Sequence, residues 1–137
     1  MAYQLSFEQR HKYSSLESGI TVTAILRRGD MEITCDAKVD TGAHVCLFSR
    51  EIGEELGINL ENGAQIRLGT VAGIITAYGH EMILETLGLR FHTFVYFAEI
   101  DKLSRNLLGR SGWLQLIRLA IIDYDQELYL SNYDETD

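Results

Sequence analysis

Ten residues constrain this chain more than any others. From Met31 to Asp40, apolar Met31, Ile33, Cys35, Ala37 and Val39 alternate with Glu32, Thr34, Asp36, Lys38 and Asp40. Side chains of a strand point alternately to opposite faces, so a period of two held this long predicts a strand with one buried face. Just upstream, Ile20, Val22, Ala24 and Leu26 keep the same alternation, and Arg27-Arg28-Gly29-Asp30 supplies a turn between the two. The pair reads as a hairpin. Asp40 ends its strand in the polar register, where Gly42 turns the chain.

The same pattern continues. Val45-Cys46-Leu47-Phe48 is a continuous apolar run suited to a buried strand. Ser49 is placed to cap a short helix over residues 50–56, with Glu51 near its positive end, Gly57 closing it, and Ile52 and Leu56 facing the core. Ile66-Arg67-Leu68 and Ile74-Ile75-Thr76 flank Gly69-Thr70-Val71-Ala72-Gly73, a glycine-bounded hairpin tip expected to be mobile. Residues 81–87 and 91–97 make a further strand pair across Gly88. Leu107-Leu108-Gly109 follows a polar loop and loosely repeats the apolar approach to Gly42. Residues 111–115 start a short helix, and residues 118–124 and 127–130 read as closing strands. At the front, Tyr3, Leu5 and Phe7 alternate like a short strand, and residues 11–19 read as a loop or weak helix. Proline is absent and the 12 glycines must make most of the turns. Short strands, glycine turns and little helix predict an all-β barrel.

A chain of 137 residues suits one domain with a real core. Residues 20–137 are expected to form that domain, with residues 1–19 an N-terminal extension. No apolar run reaches the ~20 residues of a membrane span, and the first ten residues lack a basic region followed by an apolar stretch. A cytoplasmic location, with no membrane partner, is the expectation. The net charge of −8 repels phosphates and disfavours nucleic acid or an anionic bilayer. Two cysteines, Cys35 and Cys46, are too few for a disulfide framework and are expected to be reduced and buried. His44, Cys46, His80 and His92 fit no zinc spacing, so neither a metal nor any other cofactor is expected. Cys46 with His44 as its base lacks the orienting third group of a nucleophilic triad. Trp113 reads as a packing anchor.

The Asp-Thr-Gly segment at Asp40 has a specific chemical logic. One carboxylate alone hydrolyses an amide poorly. Two carboxylates about 3 Å apart cannot both ionise cheaply and share a proton. One can then take a proton from water while the other donates to the substrate. The chain has a single Asp-Thr-Gly, so a two-fold axis through Asp40 would build the pair from two identical chains. Gly42 would let backbone approach closely, and the Thr41 hydroxyl could tie the two loops together.

At this point residues 20–125 resemble the retropepsins, the retroviral-type aspartic proteases and their cellular relatives, which are the known example of such a proton-sharing pair. The resemblance rests on three pieces in family order: Val39-Asp40-Thr41-Gly42-Ala43, the flap-like Gly69-Thr70-Val71-Ala72-Gly73, and Leu107-Leu108-Gly109-Arg110. It implies a closed retropepsin-like barrel with one or two short helices, an obligate homodimer and hydrolysis of polypeptide. By carry-over, Asp40 is catalytic, while Thr41, Gly42 and Ala43 form the active-site loop. Val71, Ala72, Gly73 and Ile74 cover the substrate, and Leu108, Gly109 and Arg110 support the site. Ala43, Val45, Val71 and Ile74 would line pockets for apolar side chains. Substrate would lie extended, as a strand added to a sheet.

The match has departures. His44 stands where many viral members carry an Asp paired with the following Gly-Arg arginine, so Arg110 lacks that partner. The flap has fewer glycines than viral ones. The segment before Ile20 is longer than a minimal member needs, with a removable leader, an interface arm and extra packing as its open roles. Beside the endopeptidase stand three plainer readings: a catalytically inactive peptide-binding or assembly module of the same fold, an unrelated β-barrel interaction domain, and Asp40 as an ordinary turn residue.

Overall fold

The computed structural model describes residues 1–134, and strand dominates them. In chain order the elements are β1 (Gln9–Lys12), β2 (Thr21–Arg28), β3 (Met31–Val39), β4 (Leu47–Phe48), α1 (Arg50–Glu55), β5 (Ala64–Thr70), β6 (Gly73–Thr86), β7 (Leu89–Ala98), β8 (Asn106–Leu108), β9 (Ile117–Ile122) and β10 (Glu127–Asn132). Single 3-10 turns lie at Leu60–Asn62, Leu114–Leu116 and Asp123–Asp125. No helix among the described residues is long and apolar enough to cross a membrane.

The alternating run forms β3, and it pairs with β2 from Thr21↔Lys38 to Arg28↔Met31. Val22, Ala24 and Leu26 are sealed in the core, as their spacing predicts. Along β3 burial deepens toward the Asp40 end: Met31 is exposed, Ile33 and Cys35 are half-buried, and Ala37 is buried. The turn is two residues, Gly29-Asp30, with Gly29 at φ +59, a conformation glycine reaches without steric cost.

Closure comes from β2 pairing on both sides. It meets β3 on one edge and β6 on the other, at Ala24↔Thr86 through Arg27↔Ile83. The order β2-β3-β8-β4-β7-β6 thereby returns to β2, a closed barrel of six strands with no free edge in the ring. β5 pairs only with β6 and stands outside the ring. Phe48, Leu84, Val95, Phe97 and Leu108 fill the interior with the β2 residues.

α1 follows its sequence signals. The Ser49 hydroxyl accepts from Ile52 N–H at 3.3 Å, and Ile52 and Leu56 are buried. Beyond the barrel, Trp113 is fully buried and its indole N–H donates to Thr86 Oγ1 at 2.9 Å. That bond satisfies the one polar atom of a large core side chain and fastens the C-terminal segment to β6.

Three sequence expectations are corrected. The two strands expected on either side of residues 77–80 are one strand, the 14-residue β6. Ala77, Tyr78 and Gly79 are consecutively buried there, so both faces are covered and the alternation vanishes. The strand expected at Tyr3, Leu5 and Phe7 is absent, and Tyr3 and Leu5 are exposed. The first strand is Gln9–Lys12, held by β10 through backbone pairing rather than by apolar side chains. With β9 these form a separate three-stranded sheet, β1-β10-β9. Finally, the short helix expected from residue 111 is reduced to the 3-10 turn Leu114–Leu116.

Candidate active site

Asp40 is the first residue beyond β3, and β8 decides where it sits. β8 runs parallel to β3, with Val39 opposite Leu108, and Asp40 N–H donates to Leu108 O at 3.0 Å. The loop then folds tightly. Gly42 N–H donates to Asp40 Oδ1 at 2.9 Å, and Ala43 N–H donates to Asp40 O at 3.1 Å. The first bond fixes the carboxylate orientation on its own loop, the local role Asp favours before glycine.

The segment after β8 clamps the far side. Arg110 N–H donates to Ala43 O and Ser111 N–H to His44 O, both at 2.9 Å, and Val45 bridges Ser111. Gly109 is buried where the two segments cross. A Cβ there would fall 2.2 Å from Val45 O and 2.8 Å from Ala43 O, so only glycine fits without moving backbone. Asn106 extends the brace: its side chain accepts from Ser49 N–H and donates to Asp36 O.

Above this floor the β5–β6 hairpin forms a roof. Its tip is Val71-Ala72, closed by the Thr70↔Gly73 pair, and the Thr70 hydroxyl donates to Gly73 O at 2.6 Å. Between floor and roof lies a cleft of about 600 Å³. Asp40, Gly42 and Ala43 form its base, and Thr70, Val71, Ala72 and Ile75 come from the hairpin. Leu47 and Leu107 contribute apolar surface beside them. A second depression, of about 500 Å³, is lined by Arg27, Gly29, Glu81 and His92, at the end of the β2–β3 hairpin remote from Asp40.

Most of the residues singled out from the sequence meet here. Thr41 is exposed beside Asp40, and Gly73 takes φ +118 behind the tip. Leu108 and Gly109 are buried beneath the loop. Arg110 is exposed and its side chain forms no ion pair among the described residues. Two residues lie elsewhere than expected. Ile74 is exposed and points away, while its neighbour Ile75 lines the cleft, since adjacent strand residues face opposite sides. Val45 is buried under the loop rather than in the cleft wall.

Cys46 is buried and Cys35 half-buried, both free thiols. Burial pushes each thiol up to about 11, which leaves them protonated and inert as nucleophiles near neutral pH. Among the described residues no cluster of three His, Cys, Asp or Glu is arranged to hold a metal.

One wall was invisible in the sequence. Ile100, Lys102, Leu103, Ser104 and Arg105, between β7 and β8, line the cleft. They read as an anonymous polar loop, because only long-range folding carries them to Asp40. The faint signal was Ile100 and Leu103, apolar residues spaced through a charged stretch.

Comparison with known proteins accords with this geometry. Residues 22–111, well over half of the chain, match the sequence profile of the family described as aspartyl protease. No individual curated protein matches the chain significantly. Among solved structures, a retropepsin-like aspartic protease from Rickettsia conorii superposes with a TM-score of 0.67 at 17% identity, over 90% of this chain and 97% of that one. The EIAV protease, complexed with the inhibitor HBY-793, superposes with a TM-score of 0.54 at 19% identity, over 71% of this chain and 86% of that one. The barrel is thus a retropepsin-like fold, and the chain belongs to the aspartyl protease family.

Proposed function

We propose that this protein is an aspartic endopeptidase that works as a homodimer, with Asp40 from each chain forming one catalytic pair. The observation that carries the reading is the position of Asp40. Its carboxylate lies at the base of a roofed cleft, on a loop braced by β8 and by the segment after Gly109. Thr41 and the flap tip are exposed around it, as surfaces that must meet a second copy would be.

In the dimer the two carboxylates share one proton. The ionised member takes a proton from a water held between them, and that water attacks the scissile carbonyl carbon. The protonated member donates to the carbonyl oxygen, and the resulting tetrahedral intermediate collapses as a proton passes to the leaving nitrogen. The pair titrates as a unit. Gly42 and the backbone of Val71, Ala72 and Gly73 are placed to hold an extended chain, and hairpin closure excludes bulk water. Leu108, Gly109 and Arg110 act through the loop they brace.

The test is digestion of an unfolded protein between pH 4 and 7 at micromolar enzyme, with Asp40→Asn beside it. Cleavage by the wild type alone is expected. Equal products from both proteins would remove Asp40 from the chemistry. A dimer that binds peptide but cuts nothing would make the chain a binding module of this fold.

A further inference from the structure

The cleft carries a charge opposite to that of the molecule. The whole chain has a net charge of −8. Yet among the described residues Asp40 is the only carboxylate lining the cleft, and Lys102 and Arg105 are its two cations. Both stand on the wall between β7 and β8, and both are exposed.

That wall is held in place. Leu103 packs against the small apolar cluster of Leu47, Ala77 and Ala98. The Arg50 guanidinium donates to Glu99 O at 3.1 Å, and both Glu51 carboxylate oxygens accept from Lys102 N–H, the closer at 3.0 Å. The latter bond, ahead of the nearby Lys102 charge, holds the Glu51 carboxyl below its ordinary range. Lys102 itself sits at φ +59. The positive charge is thus offered from a braced position.

The acidic neighbours leave it available. Glu51 engages the Lys102 backbone, and Asp101 is exposed but does not line the cleft. Behind Arg105 a smaller depression holds Glu17 and Asp36, and Lys38 already meets Glu17 at 3.4 Å. Neither Lys102 nor Arg105 makes a side-chain ion pair among the described residues. Thr70 and Ser104 add hydroxyls, and the larger side chains of the remaining lining are apolar, among them Leu47, Val71, Ile75, Ile100 and Leu107.

We infer that Lys102 and Arg105 make this cleft selective for extended polypeptides that carry an acidic side chain within a few residues of an apolar pair. The inference rests on the cleft being the substrate site, as proposed above. Two-fold symmetry would repeat the cationic wall on both sides of the cut, so acidic residues on either side are favoured. The repulsion of other anions by the protein's outer surface leaves the cleft as the place where such a chain is attracted.

Three peptides with one apolar core, flanked by Glu, Gln or Lys, test this. For the wild type at low salt, kcat/KM is expected to fall in the order Glu, Gln, Lys. The Glu-over-Gln advantage should be about 1.5- to fivefold, the span of exposed ion pairs, and should shrink as salt rises. The double variant Lys102→Glu, Arg105→Glu should reverse the order. Equal rates for the Glu and Gln peptides with the wild type overturn the inference even if the variant fails to fold. Failure to cut any of the three would count against the proteolytic reading instead. Fluorescence anisotropy of labelled peptides on Asp40→Asn then decides the charge question: tighter binding of the Glu peptide sustains it, and equal or no binding sinks it.

Discussion

Gly109 shows how a single residue can hold the Asp40 loop in place. Its missing side chain is the space through which Ala43 O and Val45 O pass. Gly109→Ala should push the two segments apart and cost about 2 kcal/mol or more, as overpacking against backbone does. Urea denaturation would read the stability loss, and activity should fall further than stability because the displaced loop carries Asp40. A variant as stable and active as wild type would show that the crossing is looser than described. Asp40, Gly42 and Gly109 were all legible as residues, because Asp-Thr-Gly and apolar-apolar-Gly leave local marks in the sequence. Ile75 was not. Ile74-Ile75-Thr76 offers an isoleucine to each face, and only the pairing of β5 with β6 decides which one turns inward. Lys102 and Arg105 left no mark either, since a cation in a polar loop looks the same whether it faces solvent or a cleft.

At the scale of elements, legibility followed the number of covered faces. β2, β3 and α1 each bury one side and were readable with nearly their observed bounds. β6 hides both sides in its middle and was read as two pieces. β1 buries almost nothing, and Gln-Arg-His-Lys carries no strand signal at all. Its place comes from four residues paired with β10, followed by Tyr13 N–H bonded to Gln126 O at 3.0 Å. Tyr13 then adds a hydroxyl bond to Asp123, which is the main cause of a phenol pushed up to about 12. Removing residues 1–5 should therefore leave thermal stability nearly unchanged. Removing residues 1–13 should lower Tm clearly, because it strips β10 of one neighbour and empties the Tyr13 site. Equal Tm for the two truncations would mean that β1 merely rests on the sheet.

For the whole molecule, a single Asp-Thr-Gly means that the proposed carboxylate pair needs two copies of the chain. If two chains share the site, specific activity should drop steeply once the enzyme is diluted below its dimer dissociation constant. Rates that stay proportional to concentration far into that range would contradict the shared pair. Each copy carries −8, so added salt should favour association by screening like charges. In that range it should raise activity on uncharged substrates, while also eroding the preference for acidic ones.

β6 belongs to two machines at once. From Ile83 to Thr86 it is a stave in the ring, pinned to both β2 and β7. From Gly73 to Ile75 it is an arm that carries the roof of the cleft, paired only with β5, which travels with it, while Thr76 O already accepts from Glu99 N–H at 2.9 Å. The buried run Ala77, Tyr78 and Gly79 lies between them as a fulcrum. A roof mounted in this way can lift to admit a polypeptide without breaking the pairing between its own strands. The ring that aims Asp40 need not slacken while the door is open, so in the proposed enzyme entry of substrate and alignment of the carboxylate would be mechanically separate tasks.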